Sequence, residues 1–338
     1  MLPVADAHND LLLACLHRRE RGVQDPFGDD WLPGLRSGGV AFQVLPMFTE
    51  DQFIGEAALR RTLELIELAH EIATLHRDDV ALVTTAGELD EALAGGRIAL
   101  LLALEGAEPI GSSISLIETM WRLGVRMASL TWNRRTMLAD GIAEQETGGR
   151  LSSLGVEAIA EMERLHMIVD ISHLSAPGVA HLASIATRPF VATHSSCRAL
   201  RDHPRNLTDE QIRAVIGSGG FVGINAFAPF VADGPASIDA YIDHLLHAAA
   251  AAGTGDRGVG LGADFIHDLV RLVDPILGRQ LLVRLEDIEF VEGLQAPADF
   301  TALTTRLAER LEPDSARRFA SENLIDFFRA HLPGGAAW

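Results

Sequence analysis

The 338-residue chain contains no lysine; all 28 of its basic residues are arginine. That one absence excludes Schiff-base chemistry, a Walker-type phosphate lysine and a carbamylated-lysine metal bridge. Cysteine is nearly missing too. Cys15 and Cys197 are too few for a disulfide framework or a thiolate zinc site, so a metal here must be held by nitrogen and oxygen. Aromatic residues make up 6% of the chain against 48% apolar, so the core is built from Ala, Leu, Val and Ile. No apolar run approaches the roughly 20 residues needed to cross a bilayer. No basic cluster precedes an apolar segment at the start, and the expectation is a cytoplasmic protein with no membrane partner. Positive charge is scarce as well: the formal net charge is −19. Nucleic acid and anionic membrane are therefore poor partners, because phosphate binding needs a positive surface, and a small molecule is expected instead.

What is present alternates between apolar runs and helical patterns. Strands are expected at residues 2–7, 39–46, 98–104, 126–131, 168–171, 190–193, 220–225 and 259–262. The uninterrupted apolar run 98–104 is what a strand covered on both faces shows. Helices are expected at 56–76, with Leu59, Leu63, Ile66, Ala69, Ile72 and Ala73 as its apolar positions, and at 115–123, 155–166, 176–185, 208–216 and 238–252. Thr208 with Gln211 three residues on reads as a capping box. Eight strand-then-helix steps without repeat or linker predict an α/β fold, a closed (β/α)8 TIM barrel forming one domain over 1–338. Additional C-terminal helices over 296–332 are expected to pack outside the barrel, and the loops 27–38 and 140–153 to shape a pocket above it.

Polar residues collect at the strand ends, the rim where barrel active sites form. His8 and Asp10 follow the first strand as a His-x-Asp claw; the competing reading makes Asp10 the N-cap of a helix opening at Leu11. Glu105 follows the third strand, Trp132 and Asn133 the fourth, His173 the fifth, His194 the sixth and Asp264 the eighth. Imidazole and carboxylate together suit zinc, and Glu105 is placed to bridge two ions where no lysine carbamate exists. Asp170, His166 and His203 read as structural. Ser172, Ser195 and Ser196 are candidate hydrogen-bond partners for ligating imidazoles.

At these residues the chain resembles the membrane (renal) dipeptidase family of zinc peptidases, a branch of the amidohydrolase-like barrels. The matching pieces are Asp6-Ala7-His8-Asn9-Asp10, Leu104-Glu105-Gly106, Asp170-Ile171-Ser172-His173, Thr193-His194-Ser195-Ser196, Pro204-Arg205-Asn206, Gly262-Ala263-Asp264-Phe265 and Ser321-Glu322-Asn323-Leu324. They cover nearly the whole chain, in order. The resemblance implies two zinc ions, one on His8 and Asp10 and one on His173 and His194, with Glu105 bridging. It also implies a hydroxide between the ions as nucleophile, zinc bringing the pKa of bound water down to about 7. By the same resemblance Asp264 is the acid/base carboxylate, Arg205 holds the substrate carboxylate as a guanidinium fork, and the protein forms a homodimer. Against these stand Asp264 as a plain strand terminator and Arg205 as a surface arginine. Two departures are visible. The family carries a histidine that contacts the carbonyl oxygen where this chain has Trp132-Asn133, so these two are assigned to the substrate pocket. The family's Asp-Phe-Asp-Gly becomes Asp264-Phe265-Ile266-His267. The expected function is zinc-dependent hydrolysis of the amide bond of a dipeptide-like substrate with a free carboxylate. N-acyl amino acid or lactone hydrolysis on the same metals, or metal binding with little catalysis, are the alternatives.

Overall fold

The computed structural model describes residues 2–267, 269–270 and 289–335. Its strands are β1 (Val4–Asp6), β2 (Val40–Phe48), β3 (Val80–Leu82), β4 (Ile98–Glu105), β5 (Val125–Ser129), β6 (Ile168–Asp170), β7 (Phe190–Val191), β8 (Val222–Ile224) and β9 (Val259–Leu261). They pair in parallel in the order β7-β6-β5-β4-β2-β1-β9-β8, and a parallel bridge between Ala192 and Val222 joins the two ends into a barrel of eight strands. All eight expected strands are present at their expected places. The apolar pattern did not mark β3, which pairs with Ile98–Leu100 along the β4 edge that carries β5 farther on. It also missed the helix Ala86–Ala94, opened by a capping box between Thr85 and Glu88.

Closure has a local cause in β8 and β9. A β-carbon at Gly223 or Gly262 would lie inside the van der Waals shell of the Thr193 carbonyl, so only glycine lets these strands approach the end of β7. The same two glycines weaken the strand pattern in the sequence while making the last ring contacts possible.

Alternation along β4 sorts its side chains by face. Ala99, Leu101 and Ala103 belong with Phe42, Val44, Met127, Val191 and Phe221 to one buried cluster, and Glu105 is next on the same parity. This cluster also contains Leu324, Phe327 and Phe328, and Phe328 meets Phe42 edge-on at 5.0 Å. The helix Asn323–His331 therefore plugs the barrel interior instead of packing outside it, as the expectation for 296–332 had it. Its aromatic residues fill the space that the small Ala5, Ala99 and Ala103 leave. The segment 27–38 is likewise not an open loop. It forms a π-helical turn, Phe27–Trp31, and a helix, Leu32–Ser37, with Phe27 and Leu35 fully buried.

Candidate active site

The site is assembled from the C-terminal ends of the strands, and Asp6 on β1 sets its first edge. Asp6 Oδ1 accepts from the amides of Ala263 (2.8 Å) and His8 (3.5 Å), while Oδ2 accepts from Gln43 (3.0 Å), tying the ends of β1 and β9 to the middle of β2. Burial without a full counter-charge pushes the Asp6 carboxyl up to about 6. Beyond it, Asp10 does occupy the N-cap position of the helix Leu11–Glu20, yet its side chain makes no capping bond. It turns instead to His8, with Oδ2 3.6 Å from His8 Nε2.

Glu105 lies between two groups. Its Oε2 is 3.5 Å from His8 Nε2, and its Oε1 is 3.0 Å from His173 Nε2 and 3.6 Å from His194 Nε2. Asp264 Oδ1 approaches His8 Nε2 from the far side at 3.9 Å. His173 and Asp264 both adopt left-handed backbone, with φ of 68° and 59°, an uncommon conformation for non-glycine residues and one that collects at functional sites. The expected ligand residues His8, Asp10, Glu105, His173 and His194 thus converge, and Asp264 joins them. Two triads, His8/Glu105/His194 and His8/Asp10/Asp264, each place their ligand atoms within 4.8 Å of one another.

The charges here do not balance. Burial and the neighbouring Glu105 charge push the Asp10 carboxyl up, and burial does the same to Asp264. Burial works against the His8 cation, but Glu105 and Asp10 overcome it and hold the imidazole well above its usual range. Glu105 itself would be raised by burial; His8 and His173 hold it well below the usual carboxylate range. His173 and His194 are driven down, first by burial and then by neighbouring cations, His173 to about 3. Neutral imidazoles are the form that binds metal. Two buried atoms, His8 Nε2 and Asp10 Oδ1, have no hydrogen-bond partner, and such groups are costly unless something else satisfies them. Tetrahedral donors about 2.1 Å from a zinc ion lie roughly 3.4 Å apart, close to the spacings around Glu105. The donor set, its excess of carboxylates and its orphaned atoms fit divalent cations.

The imidazoles are oriented by residues other than those expected. His173 Nδ1 donates to Asn133 Oδ1 at 2.7 Å, so Asn133, assigned to the substrate pocket, also fixes a ring. His194 Nδ1 lies 2.8 Å from the Thr193 hydroxyl. None of the three serines does this. Ser172 accepts the His194 amide, Ser195 accepts from Arg205, and Ser196 donates to the Asn225 carbonyl. Asp170 stays structural with respect to the cavity, its Oδ2 bound to Thr193 at 2.5 Å. Asn225, which the sequence reading passed over, donates to Asp264 Oδ2 at 2.8 Å and takes the Phe227 amide on its Oδ1 at 2.7 Å. It is the polar residue after β8, and the strand-end rule that found the others would have found it.

A cavity of about 410 Å³ opens over this cluster. Asp10, Glu105, His173, Arg205 and Asp264 form its polar floor, and Phe48, Trp132, Ile142, Phe227, Phe230 and Ile266 supply apolar walls. Trp132 packs on Phe48 with ring centroids 4.7 Å apart and borders His173 at 5.7 Å. Asn133 and His203 also line the space. Of the two loops expected to shape it, only 140–153 does, through Ile142, Ala143, Gln145 and Glu146; the 27–38 segment supplies none of the wall.

Comparison with known proteins gives a consistent picture. The dipeptidase verJ of Clonostachys rogersoniana is 33% identical over 214 residues, which cover 62% of this chain and 53% of verJ, so the match spans about half of that relative. A Schizosaccharomyces pombe protein described as an uncharacterized dipeptidase is 31% identical over 290 residues, covering 78% of this chain and 68% of its own. The solved structure of a dipeptidase AC, a metallo peptidase of family M19, superposes with a TM-score of 0.85 at 25% identity, covering 99% of both chains. The model of the membrane dipeptidase family, peptidase family M19, matches residues 1–330, and this chain belongs to that family.

Proposed function

We propose that the protein is a metal-dependent dipeptidase that hydrolyses the amide bond of a small dipeptide-like substrate with a free carboxylate. One observation carries the reading: a single buried carboxylate, Glu105, presents one oxygen to His8 and the other to His173 and His194. That arrangement fits two cations: His8 and Asp10 would hold one, His173 and His194 would hold the other, and Glu105 would lie between them. The nitrogen and oxygen donors favour zinc. When bound, such ions lower the pKa of water to about 7 and polarise a carbonyl.

The remaining chemistry belongs to the chain. Asn225 pins Oδ2 of Asp264 and leaves Oδ1 facing the cluster, and burial raises the affinity of this carboxyl for a proton. Asp264 is thereby equipped to take a proton from the attacking water and pass it to the departing amine. Arg205, 8% exposed and stacked over Phe230 at 5.5 Å, offers its fork to the substrate carboxylate. Trp132 takes the place of the family's imidazole with an apolar wall and a single N–H, so either Asn133 or a neighbouring group donates to the carbonyl oxygen here or that contribution is lost.

The test is hydrolysis of L,L- and L,D-dipeptides by the purified protein with and without chelator. Chelator-sensitive cleavage is expected. Turnover confined to N-acyl amino acids or lactones would move the assignment to another amidohydrolase, and full metal occupancy with no turnover would leave a binding protein.

A further inference from the structure

The Thr193 hydroxyl lies behind two of the histidines, 2.5 Å from Asp170 Oδ2, 2.8 Å from His194 Nδ1 and 3.4 Å from His8 Nδ1. The Ser172 hydroxyl, 3.4 Å away, is a fourth and more distant neighbour than Asp170 or His194. A hydroxyl has one proton to give and two lone pairs to accept with, whereas a carboxylate only accepts. The shortest contact therefore takes the Thr193 proton to Asp170. Asp170 cannot turn away, because its Oδ1 already accepts the amides of Ser172 (2.9 Å) and Thr193 (3.1 Å). With its proton committed, the Thr193 oxygen can only accept, so the imidazole nitrogens that face it must carry hydrogen. In the neutral form that binds a cation, each ring then has its lone pair on Nε2, the nitrogen turned toward Glu105.

We propose that Asp170 and Thr193 form one positioning device that sets His8 and His194 together, a histidine from each half of the metal site, as the tautomer that directs Nε2 at the cations. The inference rests on the two-cation reading above. The two rings lie side by side, centroids 3.6 Å apart and tilted by 34°, so a single hydroxyl reaches both. His173 is set independently by Asn133. Loss of the Asp170–Thr193 pair thus weakens both ions at once, whereas loss of Asn133 acts on one.

Zinc affinities at both sites, measured by competition with a chromophoric chelator on the full chain, test this alongside thermal unfolding of the metal-free protein. Wild type binds two ions. Thr193→Val keeps the shape but loses the acceptor, and weakens both ions by about 10–100-fold, the usual cost of losing a ligand's hydrogen-bond partner. Thr193→Ser restores most of that loss. Asp170→Asn must keep its carbonyl on the two amides and so turns its NH2 toward Thr193, reversing the hydroxyl proton; it weakens both ions without a change in bulk. Should Thr193→Val fail to fold, Asp170→Asn decides alone. Unchanged affinities with a lower melting temperature make the pair merely structural and overturn the inference, as does weakening of one ion with the other untouched. A wild-type chain that binds no zinc overturns the two-cation reading itself.

Discussion

Among the described residues, two largely buried clusters of ionisable side chains are built on opposite plans. In one, Arg61 grips Glu50 with two nitrogens (3.1 and 2.9 Å), His17 meets the same carboxylate at 2.8 Å, and Glu20 closes the group on Arg61 at 2.5 Å. Burial would raise the Glu50 carboxyl, but His17 and Arg61 hold it below its ordinary value. Both carboxylates there are bound by Arg61. In the other cluster three carboxylates, Asp10, Glu105 and Asp264, crowd His8; two of them are pushed up, and His8 Nε2 and Asp10 Oδ1 go unpartnered. The first cluster is complete as folded and serves the fold. The second is short of positive charge, which divalent ions supply.

The difference can be broken most directly at Glu105. Glu105→Gln removes the charge that faces both halves, and at most one zinc per chain should remain by elemental analysis. Dipeptide hydrolysis should fall by more than the about 10–100-fold typical of losing a supporting partner. Two ions retained in this variant would refute the bridge. The mirror experiment is Arg61→Ala, which strips buried Glu50 of its guanidinium and leaves only His17 beside it. Urea unfolding should show a loss of about 3–5 kcal/mol with metal content intact. A smaller but sharper effect is expected for Asp264→Asn: both metals stay while turnover drops by about 10² or more, the range for a lost general acid/base. Equal turnover would return Asp264 to the role of strand terminator.

The same contrast explains what could be read from the chain before its fold was known. Strand-end histidines and carboxylates were legible because the barrel rule names their positions, and the short motifs around them carry the family. The closed cluster was not. In the helix Glu56–Leu75 the apolar period picks out Leu63, which is 41% exposed, and passes over Arg61, which is 3% exposed. A periodicity of apolar residues has no means of registering an arginine that is buried because Glu50, from the loop after β2, and His17 and Glu20, from the helix Leu11–Glu20, surround it. Thr193 carries no role legible in the sequence, since a threonine beside a histidine acquires one only when Asp170 arrives from the neighbouring strand. Phe327 and Phe328 show an ordinary amphipathic pattern; that they fill the inside of the barrel depends on the alanines of β1 and β4, which are small for a reason invisible in one dimension.

Arg205 extends the comparison to the positive side. The residue is 8% exposed, and its guanidinium hydrogen bonds go to neutral groups: His173 Nε2 at 3.1 Å, the His194 carbonyl at 3.3 Å and Ser195 Oγ at 3.5 Å. Among the described residues no carboxylate pairs with it, in contrast to Arg61, and burial pulls its pKa down. A buried cation that borders an open cavity and lacks an anion is completed by a substrate that brings one. Arg205→Ala should therefore raise KM for dipeptides with a free carboxylate by about 10–150-fold, the equivalent of the 1.5–3 kcal/mol that hydrogen bonds to charged groups contribute. C-terminally amidated dipeptides, which offer no such anion, should lose little. Steady-state kinetics on matched free-acid and amide pairs measures the difference, and equal losses on both would mean that Arg205 only braces His173 and the Phe230 ring.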